Sequence, residues 1–310
     1  MVTRRPGRWA TRGKRYLGIS FSVLWIALFS LQGPPATDIY LADLRVAQGR
    51  VTVGPPVNVT MRPGYDNQPC FLPDGRAFLY TSIRADSQAD IYRYDIAAKT
   101  STRLTATRES EYSPTPLPDG QGFSVVRVEA DSTQRLWAFD LDGSRPRLVL
   151  DSIKPVGYHA WADDHTLVLY VLGSPSTLQV ADAAAPQRRG DVVAKDIGRS
   201  LQRIPGRASV SFVQRDSAAG GGPWLDELDV RTHRISKLVK APAGADFFVW
   251  MPNGIVVTAS GTKLYQWDPR RGGAWEEVAD FSTAGLTNVT RLAVSPKGDR
   301  LAIVAVPAVR

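Results

Sequence analysis

The residue types able to bind or transform something recur just ahead of a repeated apolar segment. Tyr65, Asp66 and Asn67, Glu111 and Tyr112, Tyr158 and His159, Asp246 and Phe247, and Asn288 and Arg291 each precede a short run that ends in a tight turn. Asp66 and Glu111 occupy equivalent places, three residues ahead of Pro69 and Pro114. Two carboxylates on neighbouring units could hold a divalent cation or a basic peptide end, with His159 as a further ligand. The competing reading is structural, in which the same side chains cap strands or stand in solvent. The aromatic residues among them are of the kind that anchors protein interfaces, with Asp66, Glu111 and Arg291 setting orientation.

Other catalytic arrangements find little to build on. The histidines are His159, His165 and His233; His165 takes a glycine place in a turn, and His233 follows Arg231-Thr232 where two strands are joined. There is no Gly-x-Ser-x-Gly elbow and no appended hydrolase domain, so a prolyl-oligopeptidase-like activity is not expected. Asp140-Leu141-Asp142-Gly143 resembles the start of a calcium loop, but Asp151 stands where the loop needs a glutamate, and a hairpin turn explains it better. No cofactor is called for, and a divalent cation belongs to the alternative reading only.

The segments that must position these residues form two series. The first is an apolar strand ending in a Pro-x-Gly-type turn: Phe71 to Gly75, Thr115 to Gly120, the decayed Trp161 to His165, Arg203 to Gly206, Trp250 to Gly254 and Val294 to Gly298. The turn positions 75, 120, 165, 206, 254 and 298 are 41 to 48 residues apart, the length of one four-stranded propeller blade. The second series is a strand ending in aspartate, at Asp43, Asp95, Asp140, Asp182, Asp229 and Asp268. A carboxylate there can accept from backbone N–H groups two residues on, which gives the six aspartates a structural role.

The series are offset at the ends: an aspartate-ended strand precedes the first turn, and none follows the last. The N-terminal strands, about residues 38–44 and 51–59, are therefore expected to complete a sixth blade with strands from about residue 292 to 306, leaving no open sheet edge. Blade four is the least regular, and its Gly220–Gly222 run is expected to lengthen a hairpin.

The Pro-Asp-Gly turns, the Asp90-Ile91-Tyr92-Arg93-Tyr94-Asp95 strand and Arg103-Leu104-Thr105 together resemble TolB-type, WD-like propeller repeats over residues 36–310. The resemblance implies an all-β, six-bladed β-propeller of four-stranded antiparallel blades, exported to the cell envelope. The N-terminal α/β domain of the family's namesake has no counterpart between the apolar run and the first propeller strand, so partners of that domain do not carry over. The repeat speaks to fold more than to function, since such blades serve as adaptors, gates and sugar lyases.

The chain has 310 residues, 43% of them hydrophobic and 22% charged, enough for one large all-β unit. Its net charge of +8 would suggest nucleic acid, but Arg4, Arg5, Arg8, Arg12, Lys14 and Arg15 supply six of those charges, leaving the propeller near +2. No nucleic-acid partner is expected. The basic flank precedes an uncharged run from Leu17 to Leu31, read as a signal peptide or signal anchor within residues 1–35. The anchor is favoured, because no small-x-small cleavage site follows; Arg4-Arg5 lacks further twin-arginine context. The flank would stay inside and the propeller emerge in the periplasm or its equivalent, touching membrane only through residues 16–32. Cys70, the single cysteine, excludes an internal disulfide and is expected to pack as a small apolar side chain.

The function expected from these features is a monomeric, non-catalytic scaffold that binds a protein or extended peptide. The alternatives are a metal-assisted lyase or lactonase using Asp66, Glu111 and His159, and a sugar-binding module.

Overall fold

The structure, a computed structural model, describes Met1 and residues 34–215 and 222–307. The expected signal or anchor segment lies outside the described residues, and no helix among them is long and apolar enough to cross a membrane.

Six antiparallel sheets are present: five of four strands, and a last one whose N-terminal contribution adds a fifth. The inner strands are Tyr65–Phe71, Ser110–Pro116, Val156–Trp161, Ile197–Arg203, Phe248–Trp250 and Leu286–Val294. They define blades one to six in chain order. The only helical element among the described residues is the short turn Ser282–Ala284.

The second strand of each blade explains the architecture. Ala77–Ile83 reads Ala-Phe-Leu-Tyr-Thr-Ser-Ile and is buried on both faces for six consecutive residues. Strand alternation sends Phe78 and Tyr80 to one side and Ala77 and Leu79 to the other. Each side packs on a different neighbouring blade, giving six apolar clusters, one at every blade junction. Outer strands such as Thr100–Arg103 are exposed throughout.

Ring closure is the one expected. Asp38–Ala47 pairs antiparallel with Arg300–Pro307, with Ile39 opposite Val304, and then with Arg50–Val53 and Val57–Asn58. Ahead of it, Thr37 donates through Oγ1 to the Asp66 carbonyl at 2.9 Å, which ties the closing strand to blade one as well.

The turns behave as read, with one exception. Gly75, Gly120, Gly206, Gly254 and Gly298 have φ between +68° and +85°, a region that glycine enters without steric cost. His165 does not adopt it; instead Asp163 Oδ1 accepts from the His165 and Thr166 amides at 3.1 and 2.7 Å. The strand-end aspartates need a correction. Asp95, Asp182, Asp229 and Asp268 do accept from backbone amides. Asp43 and Asp140 instead pair with the arginines Arg300 and with Arg145 and Arg147. The Asp140–Gly143 segment is a hairpin turn, with the Gly143 amide donating to the Asp140 carbonyl. In blade four, Gln214 faces Trp224 across a hairpin whose connection, residues 216–221, lies outside the described residues.

Ile39 is fully buried in the closing strand among Phe78, Tyr80 and Val304. Ile39→Ala is expected to cost about 2–5 kcal/mol, because it opens a cavity where blades six and one meet. Urea denaturation of both proteins measures this.

Candidate functional site

Every inner strand except that of blade five slips its pairing at a similar height. The shifts fall between Asn67 and Cys70, Tyr112 and Thr115, Val156 and Tyr158, Ile197 and Leu201, and Thr287 and Arg291. A bulge inserts an unpaired residue and re-aims its side chain. At Gln68 and Ser113 the bulge residue is non-glycine with φ of 58° and 54°, and proline follows each. Such backbone costs on the order of 1 kcal/mol or more and persists where its surroundings enforce it. Here Gln68 Oε1 accepts from Thr81 Oγ1 and from the Ser113 amide, both at 2.7 Å, so the two bulges brace each other.

The result is a ring of six residues, one from each blade: Gln68, Ser113, Tyr158, Arg199, Phe247 and Arg291. Each lies seven places before its blade's turn position, and all six line a central cavity of about 310 Å³. A second hollow of about 370 Å³ shares Gln68, Ser113, Tyr158 and Arg199 and adds Tyr65, Tyr112 and Tyr170. The two form the channel and its mouth.

Arg291 dominates the mouth. Its Nη2 donates to the Tyr158 hydroxyl at 2.9 Å, a bond from blade six to blade three, which face each other across a six-bladed ring. The guanidinium also lies 4.0 Å from the Phe247 ring centroid and 5.1 Å from that of Tyr158, within cation–π range. Beside it, burial pushes the Tyr65 phenol up to about 12, against a downward pull from Arg291, so Tyr65 acts as a neutral hydrogen-bonding group.

Asp66 and Glu111 do not face this mouth, which corrects the expectation that they orient a partner. Both are fully buried within their blades. Asp66 Oδ1 accepts from Arg62 Nη1 at 2.9 Å and Ser82 Oγ at 2.6 Å. Glu111 Oε1 accepts from Thr107 Oγ1 at 2.6 Å and Arg127 Nε at 3.1 Å. Burial pushes both carboxyls upward, against the lowering effect of these hydroxyl and arginine partners. Asn67 is also buried, with Oδ1 accepting from the Gln68 amide and Nδ2 donating to Thr37 Oγ1.

His159 lies in the channel wall in a different environment. Its Nε2 is 2.7 Å from Ser124 Oγ, which also accepts from Trp161 Nε1 at 3.0 Å. Burial pushes its pKa down to about 3. Asp66, Glu111 and His159 therefore do not come together, and among the described residues no group of three His, Cys, Asp or Glu side chains is placed to hold a metal. Asp246 and Asn288 are exposed and do not line the cavity, whereas Tyr112, Tyr158, Phe247 and Arg291 are partly buried at the mouth. Cys70 is a channel-wall residue rather than a core one, and burial pushes its thiol up to about 12, leaving it unreactive. His165 and His233 are exposed in turns, as expected.

The site residues that motif reading misses are Gln68, Ser113, Arg199 and Arg203. The first three are found by counting back seven places from each turn.

The geometry defines a six-bladed β-propeller with an aromatic, arginine-bearing channel mouth. No protein-family model matches the chain, and no curated protein matches it significantly. Solved structures do. A TolB candidate from Agrobacterium tumefaciens is 16% identical at a TM-score of 0.65, over 88% of this chain and 100% of that one. The nidogen/laminin complex contains a chain 12% identical at 0.62, over 87% of this chain and 99% of that one. A gluconolactonase from Xanthomonas campestris is 10% identical at 0.59, over 89% and 99%. At these identities the likeness is one of fold, and in fold the chain is a TolB-like six-bladed propeller.

Two outcomes test the roles assigned here. Glu111→Ala leaves Arg127 buried beside Trp137 without its carboxylate, and is expected to cost about 3–5 kcal/mol in denaturant unfolding. For His159, the unfolded chain gains a proton near pH 6.5 and the folded chain only near 3, so stability falls as pH drops through that window. His159→Gln, which takes up no proton there, is expected to flatten that part of the melting temperature against pH curve relative to the unmodified protein.

Proposed function

We propose that this protein is a non-catalytic binding propeller that takes a protein segment or an extended peptide at its channel mouth. The observation that supports this best is the Arg291 arrangement: a guanidinium held by a phenol and by aromatic faces, near Tyr65, lining a channel whose mouth hollow also holds Tyr112. Aromatic residues and arginine in a partly desolvated setting are the side chains that dominate protein interfaces. The nidogen/laminin neighbour is a propeller of this fold found in a complex between proteins. The gluconolactonase neighbour shows the fold hosting an enzyme; among the described residues of this chain no group of three His, Cys, Asp or Glu side chains is placed to hold a metal.

The sequence of residues 1–35 supports export, with the propeller beyond the membrane and either released or held by the apolar run. In that setting the mouth would face envelope proteins.

The test uses the full chain in its own cells, with a photo-crosslinking residue at Phe247. A polypeptide partner should be trapped, and Arg291→Ala and Tyr112→Ala should each reduce trapping by about fivefold or more in protein whose circular dichroism shows that it is still folded. Trapping unchanged in both variants would overturn the placement at the mouth.

A further inference from the structure

The charges that line the channel are all of one sign. Arg199, Arg203 and Arg291 line it, and among the described residues no aspartate or glutamate does. Arg291 and Arg199 belong to the mouth ring, whereas Arg203 ends the blade-four inner strand next to the Ile204-Pro205-Gly206 turn. Positive charge therefore extends along the channel rather than sitting at one rim. Among the described residues none of the three arginines is paired with a carboxylate; the buried acids are committed elsewhere, Asp66 to Arg62 and Glu111 to Arg127. Arg291 makes do with a neutral phenol.

A cleft with one sign of charge and low-dielectric walls concentrates the opposite charge. Guanidinium forks match carboxylates in geometry, and a bond to an ionised acceptor is roughly twice as strong as one to a neutral acceptor. The cavity, about 310 Å³, is at the small end of ligand pockets, so a single extended segment enters it and a folded domain does not. A saccharide would bring many hydroxyl donors that need acceptors. Among the described residues the channel offers them no carboxylate, and Gln68 Oε1 is already taken by Thr81 and Ser113, which leaves only neutral acceptors such as Gln202 and Ser113 Oγ.

We infer that the channel binds the carboxylates of an acidic, extended peptide, with Arg203 receiving them inside, Arg199 at the mouth, and Arg291 there exchanging the Tyr158 hydroxyl for an ionised partner. This rests on the peptide-binding reading above and specifies the chemistry of its occupant.

The experiment measures fluorescence anisotropy with the full chain in mild detergent. Its probes are a labelled hexapeptide of alternating Ser and Asp, the same peptide with Asn for Asp, the same with Lys for Asp, and labelled trigalacturonate. The acidic peptide should bind at least about tenfold more tightly than the Asn and Lys peptides. Arg199→Gln combined with Arg203→Gln should weaken it about tenfold, as should 0.5 M sodium chloride, since exposed charges are screened at that ionic strength. Arg199 and Arg203 are both exposed, so the double variant should keep its melting curve. Equal or tighter binding of the Asn or Lys peptide, lost in Tyr112→Ala, would overturn this inference and leave the peptide reading standing. Arginine-dependent binding of trigalacturonate with the acidic peptide silent would overturn it in favour of a saccharide. Binding of no peptide at all would overturn both.

Discussion

The second strand of each blade is apolar on both faces, and most of the structure follows from that. A sheet with two apolar faces needs cover on both, and in a linear stack the first and last blades would each leave one bare. Closing the stack into a ring removes the problem: each junction holds one cluster, and the last, between blades six and one, contains Ile39, Phe78, Tyr80 and Val304. The closing strand has to come from the N-terminal side, because blade six supplies only its two inner strands from the C-terminal end. Thr37 then bonds to blade one, so the same short segment joins both sides of the seam. The channel is a consequence of this closure, since six inner strands converge on one axis and none of them covers it.

What converges there is decided by the bulges rather than by strand alternation. A regular strand would keep every second side chain on one face, but an extra residue reverses that phase beyond it. In blades one and two the buried carboxylate lies just before the bulge, and the mouth residue lies within it. Asp66 with Arg62 and Ser82, and Glu111 with Thr107 and Arg127, are thus placed to hold the strained backbone at Gln68 and Ser113. Buried pairs of this kind add little net stability against an apolar alternative, but removing one partner leaves the other charge stranded. They are better understood as fixing one arrangement of the chain than as a source of stability.

The difference between what the sequence reveals and what it hides has the same origin. Turn glycines are visible because positive φ restricts the residue type, so Gly75, Gly120, Gly206, Gly254 and Gly298 mark the period and with it the blade count. The offset of the aspartate-ended strands likewise exposes the seam. Side-chain direction near a bulge has no such signature: Asp66 and Glu111 have the residue type and spacing of a site, yet point into their blades. Arg199 was hidden for the opposite reason, since blade four has neither the carboxylate nor the proline that marks blades one and two. Only the constant seven-residue offset from the turn connects Arg199 with Tyr158 and Arg291. The role of residues 1–35 rests on sequence alone.

The bond across the mouth then takes on a particular meaning. Arg291 and Tyr158 belong to opposite blades, so their hydrogen bond bars the entrance that the rest of the ring leaves open. It is a bond between a charged donor and a neutral acceptor, worth on the order of 1.5–3 kcal/mol. A ligand carboxylate offers the same donor a charged acceptor, and Arg291 can turn towards it while Phe247 still supports the guanidinium plane. Tyr158, released, keeps its edge contact with Tyr170. The bar is therefore of a kind that an anionic ligand can displace by exchange, and a neutral ligand would have to break it with less in return.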